Sequence, residues 1–116
     1  MIERLKPMPL AFWRAPSGRE PVREWLQAMD KPDRSVIGAD LRLVQFGWPI
    51  GMPLVRKLAN AIWEVRSSLP SRREARLLFT ANEEQIVVLH GFIKKTQKTP
   101  RGEIELALKR LREMVS

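Results

Sequence analysis

The chain has no cysteine, no tyrosine and one histidine, His90. Without cysteine there is no disulfide scaffold, no thiolate metal site and no cysteine nucleophile. One histidine leaves no poly-histidine metal centre. Apolar runs are too short to span a bilayer. The opening stretch MIERLKPMP lacks the apolar segment of a secretory signal, so none is expected. A Gly-rich phosphate loop, a Ser/His/Asp set and a carboxylate cluster of metal-site spacing are missing too. These absences lead to the expectation of a cytoplasmic protein that uses no metal and no cofactor.

What is present is ordinary globular material. The 116 residues are 44% apolar and 29% charged, which suits one domain spanning 1–116. A chain of this size buries about two-thirds of its unfolded surface. Its charge is uneven. The formal net charge is +8. Residues 56–76 hold Arg56, Lys57, Arg66, Arg72, Arg73 and Arg76 against Glu64 and Glu74. Residues 94–101 hold Lys94, Lys95, Lys98 and Arg101 with no acid. These two stretches carry the whole excess, and the rest of the chain balances. A localised excess of this kind suits a polyanionic partner, nucleic acid or an acidic protein; a basic surface that serves only solubility is the alternative.

Periodicity and punctuation predict an α+β order. Residues 9–14 read as a short strand. Ser17 with Glu20 has capping-box spacing. Val22, Trp25, Leu26 and Met29 follow on one helix face. A break at residues 30–33 separates this helix from a second over about Pro32 to Phe46, faced by Ile37, Leu41 and Val44. The pair forms a helical hairpin. The period then changes. Residues 54–58 and 61–66 look like strand material, and 74–80 and 85–93 read as further strands. Three strands joined by short loops make an antiparallel meander, for an element order β-α-α-β-β-β-α. Thr99 as N-cap and Pro100 at the first turn open a last helix, with Ile104, Leu108, Leu111 and Val115 as its buried stripe.

Alternation also sorts the charges. Ile62, Glu64 and Arg66 share one face of their strand, and Trp63 and Val65 the other. Arg76 and Leu78 share a face opposite Ala75, Leu77 and Phe79. If the two strands pair, Arg66 and Arg76 reach one sheet face. Arginine binds phosphate through a bidentate fork. The alternative is a surface ion pair between Arg66 and Glu64 or Glu74. Arg76 is expected to lie outside the core, so that Arg76→Ala spares the fold. Lys94, Lys95 and Lys98 precede a helix N-terminus, where the dipole disfavours cations and free N–H groups favour an anion. They mark a phosphate or carboxylate site, or they simply extend into water. His90, in phase with Ile86, Val88 and Phe92, reads as structural. The four tryptophans read as core and loop anchors.

These residues carry a resemblance. The matching stretches are Ser17-Gly-Arg-Glu-Pro-Val-Arg-Glu-Trp-Leu26, Gly51-Met-Pro-Leu-Val-Arg-Lys-Leu58, Ile62-Trp-Glu-Val-Arg66, Arg76-Leu-Leu-Phe79 and Leu89-His-Gly-Phe-Ile-Lys-Lys-Thr-Gln-Lys-Thr-Pro100. In this order the chain resembles toxins of the RelE/ParE superfamily, in the HigB-like, phage-derived branch of type II toxin–antitoxin systems. The resemblance covers nearly the whole chain, and its last stretch is the most specific. It implies a small RelE-like domain: an N-terminal strand and helical hairpin, a meander sheet and a C-terminal helix. It implies metal-independent mRNA cleavage on translating ribosomes, by attack of a ribose 2′-hydroxyl on the adjacent phosphate.

On this sequence the resemblance makes Arg66 and Arg76 the phosphate stabilisers. Lys94, Lys95 and Lys98 become candidates for proton transfer or RNA binding. Arg56, Lys57, Arg73 and Arg101 become further RNA contacts. Some relatives place a tyrosine near the site; in this chain any stacking or acid role of that tyrosine is filled otherwise or is absent. The implied partners are mRNA, the ribosome and an acidic, DNA-binding antitoxin encoded nearby, with no membrane involved. A ParE-like inhibitor of DNA gyrase and a non-catalytic nucleic-acid-binding protein remain alternatives on the same fold.

Overall fold

In a computed structural model, which describes residues 6–115, the chain forms a five-stranded sheet with helices on both faces. The elements are β1 (Leu10–Phe12), α1 (Pro21–Gln27), α2 (Lys31–Gly47), β2 (Val55–Ala59), β3 (Ile62–Ser68), β4 (Glu74–Ala81), β5 (Ile86–Ile93) and α3 (Arg101–Val115). The strand order is β1-β5-β4-β3-β2. Strands β2 to β5 form the antiparallel meander, and β1 adds in parallel beside β5. This is the expected α+β class, but the meander has four strands where three are expected, because the stretches around 54–58 and 61–66 pair with each other as separate strands across a two-residue turn. Parallel pairing of β1 with β5 needs a long crossover, and the chain between them supplies it.

Each sheet face has its own apolar cluster. Val65, Leu77, Phe79, Ile86 and Val88 meet Val22, Leu26, Ile37, Leu41 and Val44 of α1 and α2. Ile62, Leu78, Val87, Leu89 and Phe92 meet Ala107, Ile104, Leu108 and Leu111 of α3. The side chain of Val115, expected in that stripe, lies outside the described residues. All four tryptophans serve as anchors in these clusters, Trp13 on the α3 side and the others on the α1/α2 side. Trp48 packs edge-on against Trp63, centroids 4.9 Å apart, and against Phe79 at 5.4 Å. Trp25 lies so close to β5 that a Cβ on Gly91 would stand 2.5 Å from its ring. Only glycine admits that approach.

Three further expectations are corrected. Ser17 does not cap α1: the helix starts at Pro21 with Glu20 at the N-cap, and the Ser17 hydroxyl accepts from Arg19 N at 3.4 Å. Gly18, at φ 90°, turns the chain away first, so proline sets the start. Thr99 donates its hydroxyl to the Glu64 carboxylate rather than capping the start of α3. His90 is not in phase with Ile86 and Val88. The β4–β5 register shifts between Leu78 and Phe79, whose partners are His90 and Val88. Leu89 is thus an extra residue in β5, and a bulge of one residue flips the face of every residue beyond it in the strand. His90 and Phe92 therefore face α3, where the His90 ring stacks on Phe92 and its Nε2 bonds Glu103 Oε1 at 2.9 Å. The carbonyl of Leu89 accepts from Arg110 Nη1 at 2.7 Å, which ties α3 to the bulge.

Candidate phosphate-binding site

The α3 face of the sheet carries the charges. Arg66 on β3 and Arg76 on β4 are direct register partners, so their side chains leave the same face side by side. Like charges directly opposed across strands cost free energy. Glu64, two residues before Arg66 on the same face, offsets it. Its Oε1 lies 3.6 Å from Arg66 Nε and 3.6 Å from Arg76 Nε. Glu64 is 1% exposed. Its other oxygen accepts the Thr99 hydroxyl. One buried carboxylate thus holds both guanidiniums and ties down the lysine-bearing loop of residues 94–100.

Arg76 is 4% exposed, which corrects the expectation that it lies outside the core. Its Nη1 donates to the carbonyl of Ala75 at 3.1 Å. Burial, above all, depresses its pKa; Glu64 opposes this, neighbouring Arg66 adds to it, and Glu74 opposes it. Arginine remains a cation even so. The Arg66 side chain keeps 29% of its surface in solvent. Arg66, Arg76 and Lys94 line one open depression of about 430 Å³ with Pro53, Leu54, Ser68 and Glu74. Next to it, Lys94, Lys95, Thr96, Gln97 and Glu74 line a second of about 400 Å³. Lys94 is fixed between the two because its N–H donates to the Glu74 carbonyl at 2.7 Å.

The remaining cations are placed elsewhere. Arg56 of β2 stands opposite Glu64 in register and is exposed beside the site. Lys57 points to the other face, its Nζ 5.6 Å from the centre of the Trp63 ring. Arg73 is committed to Asp33 at 3.2 Å and, with Lys95, lines a different depression along the end of β5. Lys98 is exposed, and its carbonyl accepts from the Thr96 hydroxyl at 2.6 Å. Arg101 is exposed and pairs with Glu105 at 2.9 Å. The site as built is therefore Arg66, Arg76 and Lys94, flanked by Lys95 and Arg56. Glu64, Glu74 and Thr99 are members that the sequence alone did not assign to it. The shared alternation of Glu64 and Arg66 was a signal for the first.

Among the described residues, no group of three His, Asp or Glu side chains could hold a metal, and no helix is long and apolar enough to cross a membrane. What the geometry can do without further groups is bind a phosphate. Two arginine forks and an ammonium converge on one opening, beside a low-dielectric sheet face where charge interactions are strengthened.

Fold and site together define a small α+β protein that presents a cation cluster on one sheet face. The chain belongs to the family of phage-derived Gp49-like proteins (DUF891), which matches residues 24–112. That family is associated with the toxins of toxin–antitoxin systems. No curated protein matches the chain.

Proposed function

We propose that the protein is the toxin of a type II toxin–antitoxin system and a metal-independent endoribonuclease acting on mRNA at translating ribosomes. The observation that carries this reading is the opposed pair Arg66 and Arg76, held by buried Glu64 with Lys94 at the rim. Transesterification of RNA places a second negative charge on a phosphate as the 2′-oxygen adds to it. Preorganised cations at that point stabilise the transition state more than the ground state. Glu64 provides the preorganisation: guanidiniums already oriented by a buried carboxylate need no reorganisation when the charge develops. Lys94, at the rim of the same depression, is the group assigned to donate a proton to the leaving oxygen. Lys95 and Arg56 extend the positive surface along the chain of phosphates. The same surface suits an acidic antitoxin, which would silence the protein by covering the site.

The test is induction in bacteria with separate labelling of protein and DNA synthesis. The expected result is an immediate fall in methionine incorporation that Arg66→Gln abolishes. Arg66 is the better control than Arg76, because it is partly exposed and its replacement leaves no cavity. An early fall in thymidine incorporation instead would turn the reading to gyrase inhibition. No effect on either would leave a nucleic-acid-binding protein.

A further inference from the structure

Two residues that line the depression beside Arg76 each carry a polar atom that is screened from solvent and makes no hydrogen bond within the protein. One is a donor, Arg66 Nε; the other is an acceptor, Glu74 Oε2. Buried polar groups are nearly always hydrogen-bonded, and each exception requires an explanation. These two do not satisfy each other. A ligand that satisfies both must bring an acceptor for the guanidinium and a donor for the carboxylate. An RNA phosphodiester brings that pair: phosphate oxygens accept, and the neighbouring 2′-hydroxyl donates. DNA lacks the hydroxyl.

We propose that Glu74 is the catalytic base of the cleavage reaction and the group that recognises the ribose, an inference that rests on the function proposed above. Glu74 Oε2 takes the proton of the 2′-hydroxyl. The 2′-oxygen bonds to phosphorus, the bond from phosphorus to the 5′-oxygen breaks, and the departing oxygen takes a proton from the Lys94 ammonium. The products are a 2′,3′-cyclic phosphate and a 5′-hydroxyl end. Proton exchange with water returns Glu74 and Lys94 to their starting states.

Placement selects Glu74 over the other groups. It lines both depressions, the one with Arg66 and Arg76 and the one with Lys95. Its backbone is fixed by the bond from Lys94 N, and its Oε1 accepts from the Ser68 hydroxyl at 3.2 Å. To act on a substrate, Oε2 must turn into the opening by rotation about the Glu74 side-chain bonds. Glu64 is engaged with two arginines and Thr99 and is 1% exposed. His90 is held by Glu103 and lines neither depression. Among the described residues, Glu74 is the one carboxylate that lines either opening.

The experiment is a cleavage assay with bacterial ribosomes translating a defined mRNA, using the full chain and two variants. General-base catalysis is worth about 10²–10⁴-fold, so Glu74→Gln should cut at least 100-fold more slowly while its affinity for single-stranded RNA stays within about threefold. Glu74→Ala should recover roughly tenfold of its loss when formate is added, because a free carboxylate replaces the missing one. Cleavage by Glu74→Gln at a rate near that of the parent overturns the assignment. So does a loss in Glu74→Ala that formate does not relieve, since that marks a merely structural role. Failure of the unsubstituted protein to cut RNA overturns the proposed function itself, and this inference with it.

Discussion

Asp33 and Glu64 are both buried carboxylates that face arginine, and the protein uses them differently. Asp33 lies on the α1/α2 side of the sheet. Its oxygens accept from Ser71 N at 3.1 Å and from Arg73 Nη2 at 3.2 Å, so its demands are met inside the protein. Glu64, on the α3 side, faces two arginines at 3.6 Å, beyond hydrogen-bond length, and its partner Arg66 keeps an unbonded Nε. The first arrangement closes a turn onto a helix. The second holds two cations apart with donor capacity to spare. Charge committed to short internal bonds is structural, and charge held with unspent capacity is available to a ligand.

The largest effect should come from the apolar α1/α2 side. Phe79 is fully buried and packs with Trp48 and Trp63. Phe79→Ala should cost about 3–5 kcal/mol of stability, measured by urea denaturation, enough to unfold a marginal domain. Toxicity lost in this variant should return at low temperature if the folded fraction does. Arg66→Gln is the counterpart on the α3 side. It should lower cleavage by about 10²–10³-fold and leave the urea midpoint nearly unchanged. If Arg66→Gln unfolds the protein, the two faces are not divided between stability and function, and the comparison breaks.

A smaller effect separates the two carboxylates by pH. Hydrogen bonding from Ser71 and then Arg73 holds the Asp33 carboxyl below its usual value, against the opposing influence of burial. A group depressed in the folded state stabilises the fold above its unfolded pKa, about 3.9. That contribution is lost as pH falls through the lower folded-state value. Asp33→Asn should therefore destabilise the protein at neutral pH and flatten the acid limb of its stability curve below about pH 4. Thermal melts from pH 2 to 7 check this. An acid limb identical to that of the parent would place the acid sensitivity elsewhere.

How much of this was legible depends on whether a feature is set locally or by pairing. The strands β2 to β5 and helices α2 and α3 arise from period and from Pro, Gly and Asx punctuation, which act over a few residues. Alternation alone placed Arg66 and Arg76 on corresponding faces. Their direct opposition is a matter of register, which the sequence does not state. The Leu89 bulge is invisible for the same reason, and it is what turned His90 from the α1/α2 side toward Glu103. Burial of Glu64 was hidden too, because a glutamate two residues from an arginine in a strand looks like a surface ion pair until Thr99, from a distant loop, bonds to it. Ser17 shows the opposite error, a local signal overruled by Gly18 and Pro21.

The smallest effect tests whether the basic stretch of residues 94–101 acts as one patch. Its members look alike in sequence. The structure divides them: Lys94 lines both depressions, whereas Arg101 is exposed and paired with Glu105 on its own helix. Exposed pairs of this type contribute little. Each phosphate contact to a single strand adds about 0.7 to the slope of log affinity against log salt. Lys94→Ala should therefore reduce that slope by about 0.7 for a single-stranded RNA, while Arg101→Ala should leave both the slope and the melting temperature where they were. Equal changes in the two variants would mean that RNA tracks the charge density of the whole loop and not the two depressions. The distinction between spent and available cations would then hold for arginines 66, 73 and 76 alone.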